Sequence, residues 1–293
     1  MSSDRPGRFR DDPTAGLLWP ALSAQDRARR YYDLYAEMLG VLSGGSGLRN
    51  LGYRAGSERF DEAQAELCRR TVASLGEGRW LDVGCGEGGA ACLLAAERPE
   101  VEITGLDLHP ESIEAARRRA AAAGLEARVR FERGDACRMP FSGDGLFDGL
   151  YALETACHYP DKSAFASEAR RVLKPGGRFA LADFVMSERG TALPQRLVIR
   201  FVHQGIGMPW MHTATEWRGL LERAGFQGVR AADITPQTSA CWDLWARRHH
   251  EVREELERRY PPALVAAVRA NVDALAAGAD AGQLRYALIT ARA

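Results

Sequence analysis

The spacing of apolar positions along the chain changes once, near Gly78, and the two sides of that change predict different kinds of element. Ahead of it, in residues 26–42, Tyr31, Leu34, Tyr35, Met38 and Leu42 recur every three to four positions, which predicts a helix with one apolar stripe. Residues 61–75 repeat the pattern with Ala63, Leu67, Thr71 and Leu75, and the Gly- and Ser-rich stretch 42–56 between the two reads as loop. After Gly78, short apolar runs alternate with helical patterns, the signature of a parallel sheet with helical crossovers. Strands are expected at 79–83, 101–106, 127–132, 146–152, 178–184, 229–234 and 284–290. Helices are expected at 90–97 and after Asp107, the second with Pro110 in its first turn and Gly124 at its end, where each is favoured. In that helix Ile113, Ala116, Ala120 and Ala123 are expected to face inward.

Two connections exceed what a crossover needs, 187–215 before the sixth strand's helix and 236–282 before the last strand. Both read as helical lid insertions over a substrate site. Residues 1–30 are polar and carry Pro6, Pro13 and Pro20, so they read as a flexible N-terminal segment, with residues 31–293 as the folded domain and its N-terminal helices at 31–75.

Composition narrows the class. Lys plus Arg and Asp plus Glu both number 39, so bulk charge gives no reason to expect a nucleic-acid partner, and 46% hydrophobic residues suffice for a core. No apolar run approaches the roughly 20 residues of a membrane span and the N-terminus has no apolar signal core, so a soluble cytoplasmic chain with no membrane partner is expected. Six scattered cysteines without a C-x-x-C pair suggest neither a zinc site nor a disulfide framework, and no metal is expected.

The sharpest chemical signal is Leu81-Asp82-Val83-Gly84-Cys85-Gly86-Glu87-Gly88-Gly89 between a predicted strand and a predicted helix. Glycines there let the chain turn tightly and let a ligand approach the backbone, and the following helix offers unpaired N–H groups. Gly84, Gly86 and Gly89 also satisfy G-x-G-x-x-G, so the glycines alone fit a nicotinamide enzyme equally well. Asp82 separates the two readings: a carboxylate at this strand end repels a pyrophosphate but suits the ammonium of an amino-acid cofactor. Asp107, with Leu108 after it, ends the second strand where a carboxylate can accept from both ribose hydroxyls. Asp135 in Gly134-Asp135-Ala136 follows the third strand and can accept from an adenine amino group while the neighbouring backbone meets a ring nitrogen. Singly, these are also what a strand end, a helix cap and a turn contain. Together they converge where α/β sheets bind ligands.

With these motifs in order, the chain resembles the class I S-adenosylmethionine-dependent methyltransferases. LDVGCGEGG is similar to their first motif, GLDLHPESIEAA to their acidic second strand, GDACRMPF to their adenine motif and RVLKPGGRFALADF to a later helix-to-strand signature. The resemblance implies S-adenosyl-L-methionine as cofactor and a Rossmann-like α/β fold with seven strands in the order 3-2-1-4-5-7-6, the last antiparallel. It also implies a tyrosine of the N-terminal helix, Tyr32 beside Tyr31, over the cofactor.

Ala152 to Lys162, after the fourth strand, resembles the ALES-x-x-H-x-P-D pattern of antibiotic-sugar O-methyltransferases and tocopherol-type C-methyltransferases, with Cys157 where the former often carry a first histidine. His158 then reads as general base, or else as a structural histidine. Asp183 resembles an active-site carboxylate of the sugar enzymes, able to orient His158 or accept the proton. Glu154 reads as a backbone or cofactor anchor, or in a C-methyltransferase as a base toward a carbocation. Phe201, His203, Met208, Trp210, Met211, His212 and Trp217 suit a cover over an apolar or polycyclic small-molecule acceptor, or a core; Trp242 and Trp245 are open in the same way. O-methylation of a natural-product hydroxyl is the leading expectation. C-methylation of a prenyl or other electron-rich carbon, and a cyclase or isomerase that binds the cofactor without consuming it, remain alternatives. A homo-oligomer is left open.

Overall fold

The computed structural model describes residues 38–56, 59–189 and 211–293. Seven strands form one sheet in the order β3-β2-β1-β4-β5-β7-β6, with β7 antiparallel to both β5 and β6. They are β1 (Gly78–Val83), β2 (Val101–Asp107), β3 (Val129–Arg133), β4 (Phe147–Leu153), β5 (Leu173–Met186), β6 (Gln227–Asp233) and β7 (Leu284–Arg292). The helices are α1 (Phe60–Val72), α2 (Gly89–Glu97), α3 (Pro110–Ala122), α4 (Lys162–Val172), α5 (Ala214–Arg223), α6 (Thr235–Ser239), α7 (Trp242–Glu251), α8 (Arg253–Arg259) and α9 (Pro262–Asp280). The expected strand order and the antiparallel last strand are both present.

The sheet's alternation assigns its faces. Leu81, Leu150, Phe179, Leu181 and Ile289 point to the side covered by α4 and α5, where Phe165 and Trp217 fill the core. Trp80, Tyr151 and Ala180 point to the other side, where α1, α2 and α3 pack. Farther along that second face, Phe184 and Tyr286 meet Met38, Leu42, Leu244, Trp245 and Val268, which seats the helices after β6 over β5 and β7. Three of the helices start from side-chain caps, His109 accepting from Ser112 N–H at the start of α3. Asp161 caps α4 by accepting from Ser163 and Ala164, and Thr213 with Glu216 closes a capping box on α5.

The structure departs from the sequence expectations in three places. β5 begins at Leu173 instead of 178, because Leu173 pairs with Phe147 before Lys174 to Gly177 loop out and pairing resumes at Arg178 with Gly149. Ala123 is exposed, not inward-facing: α3 ends at Ala122, the chain reverses at Gly124 with φ +66°, and Leu125 folds back to take the buried place. Leu75 is buried as expected but lies beyond the end of α1. Of the first expected helix, residues 38–42 are helical, with Met38 and Leu42 fully buried; Tyr31, Tyr32, Leu34 and Tyr35 lie outside the described residues.

Phe165 holds α4 to the sheet through ring contacts with Tyr159, Phe179 and Trp217, at centroid distances of 4.8, 6.1 and 6.3 Å. Truncating it leaves a cavity in a fully buried cluster. Phe165→Ala is expected to cost about 3–5 kcal/mol in urea unfolding; a loss below about 1 kcal/mol would show that the cluster relaxes around it.

Candidate functional site

At the carboxyl ends of β1, β2 and β4 the backbone leaves the sheet and encloses a cavity of about 250 Å³. The glycine turn forms its floor. Gly84 has φ +77°, and a Cβ there would stand 1.9 Å from Thr155 Oγ1, so this glycine is required by both conformation and contact. Gly86 has φ +52°, and a Cβ there would meet nothing within 4 Å, so its open side is the cavity itself. Gly88 lies off the cavity wall; it caps α2 in the left-handed conformation and packs against Phe131 and Ala116.

Asp82, Asp107 and Asp135 all reach the same cavity. Asp82 is buried, and burial pushes its carboxyl up to about 7, opposed by the Tyr151 hydroxyl and aided by Asp107. Tyr151 is close enough to act on that charge, yet neither its hydroxyl nor Asp82 Oδ2 completes a hydrogen bond of ordinary geometry. Such an orphaned acid is costly unless a cationic donor arrives. Asp107 is oriented by two amides, with Gly86 N–H donating to Oδ2 and His109 N–H to Oδ1, each at 2.9 Å. Burial raises its pKa against those bonds. Each oxygen keeps a further lone pair, enough for two hydroxyl groups. Asp135 Oδ1 accepts from Cys137 N–H at 2.8 Å, which sets the turn presenting Ala136 to the wall. Leu108 at the rim is 40% exposed, the single large apolar side chain so exposed among the described residues.

The opposite end of the cavity is apolar. Phe184 and Trp242 stack there at 6.2 Å and 20°, beside Trp245, and α9 contributes Val268, Val272 and Leu275. Two titratable side chains border this end. His158 sits half-buried in the short 3₁₀ turn Ala156–His158, its N–H donating to Thr155 O at 3.0 Å. Glu154 Oε1 accepts from Leu51 N–H at 2.7 Å and from the Tyr286 hydroxyl at 2.8 Å. Burial, with some help from Asp183, pushes its carboxyl up to about 8 against those two donors.

Asp183 stands behind the wall. Its carboxylate accepts from Cys157 N–H at 2.9 Å and from Phe184 N–H at 2.8 Å, so it anchors the turn that carries His158 without lining the cavity. Burial raises it to about 6. Met211 and Trp217 belong to the two cores, whereas Phe201, His203, Met208 and Trp210 lie outside the described residues, as does most of the expected cover at 187–215.

Sequence reasoning missed the segment from Gly47 to Leu51, which crosses the cavity with Arg49 ion-paired to Glu87, and His109 with Ser112 at the start of α3. A loop has no periodicity to reveal what it faces. The α9 stripe was legible, since Val268, Val272 and Leu275 follow i, i+4, i+7 spacing. No group of three or more metal-ligating side chains occurs among the described residues.

A methyltransferase-domain family profile matches residues 76–225. Among relatives, the chain is 31% identical over 264 residues to 27-O-demethylrifamycin SV methyltransferase of Amycolatopsis mediterranei, covering 89% of this chain and 94% of that one. It is 32% identical over 243 residues to erythromycin 3''-O-methyltransferase of Saccharopolyspora erythraea, covering 79% and 78%. Among solved structures, the [4+2]-cyclase SpnF superposes with a TM-score of 0.75 at 26% identity, covering 92% of this chain and 97% of that one. The cyclopropane synthase MmaA2 of Mycobacterium tuberculosis superposes with a TM-score of 0.80 at 17% identity, covering 92% and 98%, a likeness of fold.

A buried acid whose pKa is raised binds its proton more tightly in the folded than in the unfolded chain, so stability falls as pH rises from the unfolded value toward the folded one. Glu154 titrates in this sense up to about 8 and Asp82 up to about 7. His212 and His249, lowered by burial, act in the opposite sense and mostly below pH 6.5. Between pH 6.5 and 8 the unliganded protein is therefore expected to lose about 2 kcal/mol in urea unfolding, and Glu154→Gln to remove most of that loss. A flat or rising stability across this window contradicts the burial argument.

Proposed function

Because the chain belongs to the S-adenosylmethionine-dependent methyltransferases, we propose that it methylates a hydroxyl group of a small, largely apolar natural product. The observation that carries this reading is the asymmetry of the cavity, with carboxylates around the glycine turn and aromatic and aliphatic side chains opposite, His158 and Glu154 bordering the second part. The names of the rifamycin and erythromycin relatives support an oxygenated acceptor. No helix among the described residues is long and apolar enough to cross a membrane, which accords with action in the cytoplasm.

The orphaned Asp82 carboxylate and the open side of Gly86 fit an amino-acid nucleoside. In this reading Asp82 takes the ammonium, Asp107 the ribose hydroxyls, and Asp135 with the Ala136 backbone the adenine edge, against which Leu108 packs. Gly84 and Gly86 bring the backbone close, and Gly88 shapes the start of α2 behind them. The cofactor supplies the methyl group and a good leaving group, so the chain's task is alignment and exclusion of water. Trp242, Trp245 and the α9 stripe exclude water from the acceptor. His158 removes the hydroxyl proton as its oxygen attacks, and Asp183 fixes the turn bearing His158 through the Cys157 amide. The helices of 236–282 act as the cover; Tyr32 and most of 187–215 lie outside the described residues.

C-methylation is the second reading, favoured by the stacked Phe184 and Trp242 rings, whose faces can stabilise a carbocation. Mass fragmentation of the product separates the two by placing the new methyl on oxygen or carbon. S-adenosylhomocysteine is expected in equal amount to product; product without it would point to a cyclase.

His158→Ala is expected to slow turnover at least tenfold while calorimetric affinity for S-adenosylmethionine stays within about twofold. Unchanged turnover would remove His158 from the chemistry. Asp107→Ala is expected to weaken that affinity about 10- to 100-fold, the worth of hydrogen bonds to a charged group. An affinity unchanged in a folded Asp107→Ala protein would displace the cofactor from this crevice.

A further inference from the structure

One carboxyl group at the apolar end is left without a task in this scheme. Glu154 follows β4 directly and is the single non-glycine residue with positive φ among the described residues, at 49°. A side chain in the left-handed region is strained, and persists where surrounding contacts dictate it. Here the contacts come from three segments. The Glu154 N–H donates to Ala182 O of β5 at 2.9 Å, while Oε1 accepts from Leu51 N–H of the crossing segment and from Tyr286 of β7. Oε1 is thereby held by two donors. The hydrogen bonds of the Glu154 carboxyl group both fall on Oε1, which leaves Oε2 for the cavity that Glu154 lines.

Asp183 from β5 and Tyr286 from β7 act on Glu154, and Glu154 in turn raises Cys157 in the 3₁₀ turn, Cys68 from α1 and Cys241 just ahead of α7, with His158 in the same turn bordering the same cavity. None of the groups raising or lowering its pKa is a lysine or arginine. Burial pushes the carboxyl up to about 8, so at neutral pH it is an uncharged acid. Both fixed donors address Oε1, which therefore plays the carbonyl oxygen, and the proton resides on Oε2.

We propose that Glu154 is a specificity-determining residue whose Oε2–H donates a hydrogen bond to a carbonyl or ether oxygen of the acceptor, so that the chamber selects oxygenated molecules over hydrocarbons of the same shape. An acceptor oxygen satisfies the buried O–H at no charge cost. A hydrocarbon of the same shape would leave the O–H unpaired. This rests on reading the apolar end as the acceptor chamber, but its test requires no methyl transfer.

Two measurements on the complex with S-adenosylhomocysteine test it. In protein labelled with carboxyl-¹³C glutamate, the Glu154 resonance, assigned by its absence from Glu154→Gln, is expected to titrate near 8; titration below about 6, near the ordinary glutamate range, overturns the proposal. The second uses 1-indanone and indane, which differ by one carbonyl oxygen, with binding read from quenching of the wall tryptophans. The ketone is expected to bind about fivefold more tightly at about pH 6.5, as one net hydrogen bond predicts, and to lose that advantage at about pH 9.5. Glu154→Gln keeps a donor and is expected to retain the preference at both pH values, whereas Glu154→Leu abolishes it. Equal affinity at about pH 6.5, or binding of neither compound, overturns the proposal; a product methylated on carbon would instead overturn the O-methylation reading and leave Glu154 untouched.

Discussion

The structure is organised around carboxyl groups taken out of water at one end of a parallel sheet. Asp82, Asp107, Glu154 and Asp183 are all raised by burial, so each is held in a place that disfavours its own charge. A fold tolerates this where the groups receive hydrogen bonds from elsewhere in the chain, or where a ligand brings the missing partner. Asp107 and Asp183 are of the first kind, each accepting from two backbone amides. Asp82 is of the second kind, with one oxygen enclosed and unpartnered. Glu154 combines both, with one oxygen held by two donors and the residue itself lining the cavity.

That arrangement explains why a sheet is needed beneath it. β1, β2 and β4 are hydrogen-bonded neighbours, so the residues at their carboxyl ends are held in fixed relation, with Asp82 in register with Gly105 and Tyr151. The strands are buried on both faces by helices, which gives the rigidity that preorganised binding groups require. The Gly84 turn then approaches Thr155 so closely that no other residue fits, linking the glycine-turn side of the cavity to the segment that carries Glu154 and His158.

The apolar end is built differently. It depends on helices that follow β6, far along the chain, seated against Phe184 and Tyr286 by side-chain packing and without sheet hydrogen bonds. Helical packing against a common sheet lets the apolar end change shape while the glycine-turn end stays fixed. This division accords with relatives that share the fold and differ in the molecules their names record.

Local periodicity and turn chemistry specified the strands, the helices α1 to α3, the glycine turn and the three aspartates at strand ends, because each of these is a short-range property of the chain. Alternating apolar runs placed β1 to β4 within about two residues of their observed bounds, and only where pairing was non-local, as in the early start of β5 at Leu173, did the expectation slip. The tertiary structure alone decided which side chains face the cavity. It set Asp183 behind the wall, since its oxygens are taken by the Cys157 and Phe184 amides. It drew Leu51 onto Glu154 across 103 positions of chain, and turned Ala123 outward where α3 ends. Spacing along a sequence encodes which residues share a face of their own element, but burial and hydrogen bonding between distant segments fix what that face meets.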